Sequence, residues 1–303
     1  MVTLKKTHLI YNPVAGGLRR RPKHRRRAAS ILEAHGFQII ERPTSGPGDA
    51  TRLAREAVES GADVVLVAGG DGTINEALNG LIGSDVVLGA LPGGTANVLC
   101  RELGIGANWE RAAQTLCRSV PTPVRVGLVE TASGVRRHFL SMAGVGLDAA
   151  IVRRVDPDLK HQAGKLAYYA ASFSFLAKRL PEFDALADCG AGRFSFLLAS
   201  RVRNYGGDFE IARSASLRRD DFEMVAFEGS SSFRYLKYFA GVLAGNLARM
   251  GGVTVCGAAK VQLRPAGDVP AYVQVDGELA CQIPAEIRIA ETSVRLLMPP
   301  EYK

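Results

Sequence analysis

The N-terminal part of the chain, before Pro121, alternates between short apolar runs and amphipathic stretches. Apolar runs of strand length occupy residues 8–11, 37–40, 63–68 and 86–91. Apolar residues at the i, i+3, i+4 spacing of a helix recur in residues 50–58, 74–82 and 109–117. Because strands that alternate with helices pair in parallel, this pattern predicts a doubly wound α/β domain with helices on both faces of its sheet.

The pattern changes at Pro121 and Pro123. From Val124 onward, apolar and polar residues alternate with the period of two that is typical of strands. This alternation recurs in residues 124–128, 194–202, 261–263, 273–275, 287–289 and 294–296. Helix-length stretches interrupt it at residues 165–180 and 234–250. The second part therefore predicts a mostly antiparallel β domain.

The composition is that of a globular protein, because 47% of the 303 residues are hydrophobic and 22% are charged. The most apolar stretch, residues 166–177, is shorter than the ~18 residues that a membrane-spanning helix needs. Asn12 and Pro13 follow the N-terminal lysines too closely to leave room for a signal peptide. We therefore expect a cytoplasmic protein without a spanning segment.

The cysteines form no C-x-x-C pair and are scattered along the chain, at Cys100, Cys117, Cys189, Cys256 and Cys281. An odd number of scattered cysteines is typical of reduced thiols in a cytosolic protein. The sequence therefore predicts neither a disulfide framework nor a zinc site.

Basic residues outnumber acidic ones by 38 to 30, and they cluster in residues 19–27. Such a cluster is typical either of a solvated basic face or of contact with nucleic acid, a phosphorylated small molecule or an anionic membrane. Binding of single-stranded nucleic acid would need aromatic side chains for base stacking, and the cluster contains none. We therefore expect no nucleic acid among the partners.

Glycine-rich turns follow three of the predicted strands, in residues 12–17 (NPVAGG), 69–73 (GGDGT) and 91–97 (LPGGTAN). Glycine lets the backbone approach a ligand, and the N–H groups that begin the next helix attract an anion. Because turns at the carboxyl edge of a parallel sheet lie together, these turns predict a site for a phosphate-bearing ligand. The alternative is a set of tight turns without a ligand, in which Thr73 and Glu76 form a helix capping box.

Neither common nucleotide-binding motif accounts for these turns. The chain contains no G-x-x-x-x-G-K-[ST], which excludes a P-loop NTPase. Residues 144–149 (GVGLDA) imitate G-x-G-x-x-A but lie in the β-rich part and open no clear βαβ unit. We interpret them as a bend where backbones pack closely.

Taken as a set, NPVAGG, GGDGTINE (residues 69–76), LPGGTAN and VDGE (residues 275–278) resemble the motifs of the diacylglycerol-kinase catalytic family, which includes bacterial lipid kinases, sphingosine kinases and ceramide kinases. The resemblance runs over nearly the whole chain. It implies an ATP-binding α/β domain in residues 1–123 and a lipid-binding β-sandwich domain in residues 124–289. It also implies a last strand, in residues 290–303, that returns to the first domain.

The resemblance implies roles for individual residues. Those implied to bind ATP are Asn12, Thr44, Gly69, Gly70, Asp71, Gly72, Thr73, Asn75, Gly94 and Thr95. Asp276 would be the general base with Glu278 beside it, although Asp276 and Gly277 are by themselves typical of a two-residue hairpin turn. An acidic Asp71 among phosphate-binding amides would repel the ligand without a cation, which favours Mg²⁺ bound with the nucleotide.

A structural Mg²⁺ site is implied in the second domain by the same resemblance. Its ligands would be Leu217, Asp220 and Phe222, at the spacing i, i+3, i+5. Asp221 stands where a glycine is common in the family. We therefore expect backbone oxygens and one carboxylate around this ion.

The resulting expectation is a lipid kinase that transfers the γ-phosphate of ATP to a lipid hydroxyl, peripheral at the inner face of an anionic membrane. The apolar stretches at residues 166–180 and 236–250 would contact acyl tails or pack within the domain. A homodimer is left open. Diacylglycerol itself is in question, because Val98 and Arg125 stand at positions that are acidic in bacterial diacylglycerol kinases.

Two alternatives remain at this point. A soluble-metabolite kinase of the NAD-kinase type would share GGDGT, but the LPGGTAN loop and the D-G-E turn oppose it. A nucleotide-binding regulator without catalysis is favoured by Val98 and Arg125 and opposed by Asp71 and Asp276.

Overall fold

The computed structural model describes residues 5–15, 22–154, 180–206, 209–231 and 233–302. Several residues of the sequence analysis lie outside this part of the chain, namely Gly16, Gly17, Arg19, Arg20, Arg21 and most of the stretch at 165–180. The chain forms two compact units, Met1–Val126 with Glu291–Lys303, and Gly127–Ala290.

The first unit alternates strands and helices. Its elements are β1 (Lys5–Tyr11), α1 (Pro22–Ala34), β2 (Phe37–Pro43), α2 (Asp49–Glu59), β3 (Val64–Gly69), α3 (Asp71–Leu81), β4 (Val87–Pro92), α4 (Val98–Glu102) and α5 (Trp109–Arg118). The strands pair in parallel in the order β2-β1-β3-β4. Beyond β4, Arg295 and Leu296 of the last strand, β18 (Ala285–Met298), pair in parallel with Val87 and Leu88.

Helices cover both faces of this sheet. Right-handed crossovers in the order β2-β1-β3-β4 place α1 on one face and α2 and α3 on the other. Accordingly, α1 packs against α5, and α2 packs against α3. Every residue of β3 and β4 is buried, as in a strand that is covered on both sides. The predicted doubly wound α/β unit is confirmed.

The second unit is rich in antiparallel strands. The strand β5 (Val120–Glu130) begins in the first unit and enters the second at Gly127, where it forms a hairpin with β6 (Arg136–Phe139). The elements that follow in the second unit are β7 (Met142–Gly146), α6 (Leu147–Arg154), β8 (Phe183–Ala187), β9 (Gly190–Phe194), β10 (Phe196–Ser200), β11 (Asn204–Tyr205), β12 (Phe209–Glu210), β13 (Phe222–Phe227), α7 (Phe233–Ala244), a 3₁₀ turn (Leu247–Arg249), β14 (Val253–Ala258), β15 (Lys260–Pro265), β16 (Tyr272–Val275) and β17 (Glu278–Gln282).

These strands form two layers. One sheet has the order β14-β13-β10-β7-β16-β17, and the other pairs β15 with β8 and with residues 285–288 of β18. Val145, Leu197 and Met224 from the first sheet share one buried cluster with Val261 and Ile287 from the second. A core between two mainly antiparallel sheets confirms the predicted β-sandwich.

Two expectations about this unit need correction. Cys189 and Cys256 form a disulfide with Cα atoms 6.4 Å apart, so the prediction of five reduced thiols is wrong for this pair. The helix predicted at residues 234–250 ends earlier, because Gly245 adopts a φ of 68° and a separate 3₁₀ turn follows. None of the helices in the described ranges is long and apolar enough to cross a bilayer.

Candidate functional site

Each parallel strand of the first unit leads into a polar turn, and the turns lie side by side. Asn12 follows β1 and donates its backbone N–H to the carbonyl of Ala68 at 3.1 Å. Thr44 follows β2 and donates its N–H to the carbonyl of Tyr11 at 2.9 Å. Gly93 follows β4 and donates to Gly69 at 2.9 Å. These bonds extend the parallel ladder beyond the strand ends and bring the predicted turns together at one edge.

The turns after β3 and β4 touch through their backbones. A Cβ atom on Gly94 would lie 2.4 Å from the Cα of Gly70, which no side chain tolerates. A Cβ on Gly69 would lie 2.7 Å from the Cβ of Thr73. These glycines therefore permit close packing of the two turns at the start of α3.

Helix α3 begins at Asp71, with Gly70 as its N-cap residue in extended conformation. The predicted capping box of Thr73 and Glu76 is therefore wrong, because the helix starts two residues before Thr73. The first turn of α3 presents backbone N–H groups at the carboxyl edge of the sheet, where they favour an anion. Gly72 and Thr73 belong to this first turn.

Glu76 instead caps the neighbouring helix. Its carboxylate accepts the N–H of Gly48 at 2.8 Å and the N–H of Ala50 at 3.2 Å, at the start of α2. The hydroxyl of Thr51 donates to the Glu76 carbonyl at 2.8 Å. Glu76 therefore fixes the turn that carries Thr44, a function that sequence spacing did not reveal because the two helices meet only in the fold.

The other residues implied to bind ATP have differing environments. The side chain of Asn97 accepts the N–H of Gly94 at 2.8 Å and donates to the Gly94 carbonyl at 2.9 Å. Both backbone groups of Gly94 therefore form hydrogen bonds within the turn. Thr95 is exposed at the tip of that turn. Asn75 is buried in α3, where the amide of Asn79 donates to its carbonyl at 2.8 Å.

Asp71 faces the short helix α4, since its Oδ1 accepts the N–H of Leu99 at 3.4 Å. Burial raises the pKa of the neighbouring Cys100 thiol, and the charge of Asp71 adds to that effect. Val98 begins α4 and is buried, while Arg125 is exposed in β5. Among the residues implied to bind ATP, Asp71 is the one with an acidic side chain.

In the second unit, Asp276 occupies a two-residue turn between β16 and β17. Asp276 and Gly277 have φ angles of 47° and 87°, the left-handed pair that closes a tight hairpin. The buried carboxylate accepts the N–H of Leu140 at 3.2 Å, of Ser141 at 3.0 Å and of Met142 at 2.9 Å. Hydrogen bonds from several backbone amides fix the position of this carboxylate.

Two side chains outside the predicted set support this turn. Gln274 accepts the N–H of Gly277 at 2.7 Å and donates to Oδ2 of Asp148 at 2.6 Å. Burial raises the pKa of Asp148, although hydrogen bonds from Tyr205 and Gln274 oppose that shift. A Cβ on Gly144 would lie 1.6 Å from this carboxylate, so the glycine leaves room for Asp148.

Glu278 lies beside the turn and forms an ion pair with Arg137, with 2.7 Å between Nη2 and Oε2.

The GVGLDA motif is explained by close packing of the backbone at Gly146. Gly146, with a φ of 74°, would place a Cβ 2.4 Å from the Ser195 carbonyl oxygen, so two backbones pack closely there.

Of the residues implied to bind a structural metal, Leu217 and Asp220 lie in the turn before β13, and Phe222 is the first residue of that strand. The carbonyl of Leu217 accepts a hydrogen bond from Nη2 of Arg201 at 2.9 Å. Asp220 is exposed, and Phe222 pairs with Ala258 in the sheet. No cluster of three or more histidine, cysteine or acidic side chains suited to a metal occurs among the residues that the structure describes.

Comparison with known families agrees with this architecture. A family described as diacylglycerol kinase catalytic domain matches residues 6–129, and one described as YegS C-terminal NAD kinase beta sandwich-like domain matches residues 141–298. The diacylglycerol kinase of Bacillus subtilis strain 168 is 28% identical over 307 residues, covering 98% of each chain. That of Mycobacterium tuberculosis strain H37Rv is 27% identical over 305 residues, covering 97% of this chain and 95% of the relative.

Solved structures show the same fold. A crystal structure of a diacylglycerol kinase from Bacillus anthracis has a TM-score of 0.76 at 23% identity and covers 99% of each chain. Another crystal structure from that organism has a TM-score of 0.82 at 21% identity, covering 100% of this chain and 98% of the other. The chain belongs to the diacylglycerol kinase catalytic domain family and carries a YegS-like C-terminal domain. The catalytic domain of this family implies an ATP-dependent kinase.

Proposed function

We propose that this chain transfers the γ-phosphate of ATP to the hydroxyl of a membrane lipid. The observation that carries the proposal is the backbone contact between Gly70 and Gly94, which brings two glycine-rich turns together at the start of α3. Relatives over nearly the full length are named diacylglycerol kinase, which supports a glycerolipid or similar acceptor.

The nucleotide would bind at the carboxyl edge of the parallel sheet. N–H groups in the first turn of α3 would bind phosphate oxygens, and Asn12, Thr44 and Thr95 lie at or next to the neighbouring strand ends. Asp71 offers the carboxylate oxygen that Mg²⁺ prefers, so the residues present fit a metal bound with the nucleotide. When bound, such an ion neutralises the negative charge of the phosphates.

The acceptor hydroxyl would be deprotonated by Asp276. Phosphoryl transfer needs a carboxylate that is held in place, and the amides of Leu140, Ser141 and Met142 hold this one. The Arg137–Glu278 ion pair and the Gln274–Gly277 hydrogen bond hold the adjoining residues of the hairpin.

Contact with an anionic membrane surface is part of the proposal, and helix α7 is suited to it. Leu236, Phe239 and Leu243 lie at i, i+3 and i+7 and are 50%, 47% and 63% exposed. Arg234 and Lys237 on the same helix are also exposed. An exposed apolar face with neighbouring cations is typical of a helix that lies on anionic lipid.

The basic cluster provides less free charge than its sequence suggests. In its described part, His24 bonds to Glu110 at 2.9 Å and Arg25 pairs with Glu41 at 3.2 Å. Arg25 also lies over the ring of Tyr11, 4.2 Å from its centroid. We therefore propose that α7, and not the basic cluster, makes the main contact with the membrane.

The proposal is tested by offering radiolabelled ATP and Mg²⁺ with lipid vesicles or, separately, with NAD⁺. NAD⁺ is the matched competitor because the second domain resembles that of NAD kinases. We expect label in a lipid product that mass spectrometry identifies as a phosphate ester. Label in NADP⁺, or ATP binding without transfer to any lipid of a broad panel, would contradict the proposal.

A further inference from the structure

A buried cation lies directly after β10 in the second unit. Arg201 has no exposed surface and is among the largest fully buried side chains of the described chain. A charged group is expensive to bury unless fixed polar groups compensate for its lost hydration. The surroundings of Arg201 must therefore be arranged to bind a positive charge.

Part of the compensation comes from backbone oxygens of one turn, and the charge of Asp221 also interacts with Arg201. Nη2 of Arg201 donates to the carbonyl of Leu217 at 2.9 Å and to the carbonyl of Arg219 at 3.1 Å. The backbone N–H of Arg201 donates to the Ser141 carbonyl at 2.8 Å, which holds the residue at the strand end. Two carbonyls thus converge on a single guanidinium nitrogen.

This turn is the one for which the family resemblance implies a structural Mg²⁺. Its implied ligand Leu217 directs its carbonyl to the guanidinium, and Asp220 is exposed. Asp221, which replaces the common glycine, pairs with Arg219 at 2.6 Å. Mg²⁺ needs close octahedral oxygen ligands, and a second cation beside the guanidinium would be strongly repelled. The residues present therefore do not fit the implied metal.

We propose that the guanidinium of Arg201 takes the place of the divalent cation, so that residues 217–222 are ordered by a cation belonging to the chain itself. The second unit then folds and keeps its stability without Mg²⁺. This inference concerns only the turn in the second unit and is independent of the Mg²⁺ that accompanies the nucleotide.

The first test is thermal unfolding of the full chain without nucleotide, in EDTA and in millimolar Mg²⁺. A structural site filled at a hundredfold excess over its Kd would raise the Tm by roughly 5–10 °C. We expect no such rise in the wild type or in Asp220→Asn. A rise in the wild type that Asp220→Asn removes would overturn the proposal.

The second test replaces the guanidinium. Arg201→Ala should lower the Tm in EDTA and recover part of that loss in Mg²⁺, because the two carbonyls then lack a cation. Arg218→Ala is the matched control, since it removes an exposed cation from the same turn. The proposal that Arg201 replaces Mg²⁺ would be contradicted if Arg201→Ala left the Tm unchanged or lowered it by an amount that Mg²⁺ does not reduce. It would also be contradicted if Mg²⁺ raised the Tm of Arg218→Ala by the same amount. If Arg201→Ala does not fold, the comparison of wild type with Asp220→Asn decides.

Discussion

The Cα of Gly70 occupies the space that a side chain on Gly94 would need, because a Cβ atom added to Gly94 would lie only 2.4 Å from it. Gly70 caps α3 after β3, and Gly94 belongs to the turn after β4. The two turns can approach each other only because both residues lack side chains. The shape of the proposed phosphate site therefore depends on a contact between two backbones.

Gly94→Ala should weaken nucleotide binding by forcing these turns apart. Overpacking of this kind costs about 1–3 kcal/mol, and a similar loss of binding energy would raise the Kd for ATP by roughly fivefold to a hundredfold. Calorimetric titration with ATP measures the change. Gly267→Ala is the control, because a Cβ there meets no atom within 4 Å. Unchanged ATP affinity in Gly94→Ala would contradict the role of this contact.

Glu76→Ala should destabilise the start of α2 and loosen the turn that carries Thr44. Loss of a helix N-cap interaction costs about 1 kcal/mol. We expect a lower free energy of unfolding together with a raised KM for ATP. Glu59→Ala, at the exposed C-terminal end of α2, should change neither quantity. Equal effects of the two substitutions would show that the carboxylate of Glu76 has no special function.

Asp276→Asn should abolish most phosphoryl transfer while ATP binding remains. Removal of a general base typically lowers the rate by about 10²–10⁴-fold. The substitution also places an amide among backbone N–H donors, so a stability loss of about 1–3 kcal/mol is expected. Rates must therefore be measured below the melting temperature of the variant. A folded Asp276→Asn protein with near wild-type turnover would remove the assignment.

Because of Asp148, the free energy of unfolding should fall as the pH rises. Burial raises its pKa in the folded state, so the native protein binds the proton more tightly than the unfolded chain does. The stabilisation is complete below the unfolded pKa, about 3.9, and is lost as the pH rises through the raised folded pKa. Urea unfolding across this window should show a smaller pH dependence for Asp148→Asn. Identical pH profiles would mean that Asp148 titrates normally.

Replacing Leu236 and Leu243 with serine should reduce binding to anionic vesicles. Full burial of a leucine side chain contributes about 1.5–3 kcal/mol, so losing only part of this from both leucines should lower partitioning roughly tenfold. Val269→Ser is the control, because Val269 is 62% exposed and lies outside α7. Vesicle flotation that is equal for the double variant and the wild type would exclude α7 as the contact.

The sequence predicts the fold of each unit because local patterns determine it. The apolar runs at β3 and β4 and the helical spacing of Ala50, Leu53, Ala54 and Ala57 are readable without the fold. The Asp276–Gly277 turn is equally local, since both residues tolerate positive φ.

Long-range partners were not predictable in the same way. The spacing predicts that Glu76 caps its own helix, whereas the packing of α3 against α2 brings its carboxylate to the N–H of Gly48. Cys189 and Cys256 are 67 positions apart, and no local signal pairs them. Asp148 needed the space that Gly144 leaves, which only the folded sheet reveals.

The last strand also determines when the nucleotide-binding unit can be finished during synthesis. Residues 285–288 of β18 pair with β15, and Arg295 and Leu296, further along the same strand, pair with β4. The partner of β4 is thus encoded far downstream of β4 itself. A nascent chain must therefore extend past Leu296 before the phosphate-binding sheet gains this strand, and a chain that stops before Arg295 would leave β4 without that neighbour.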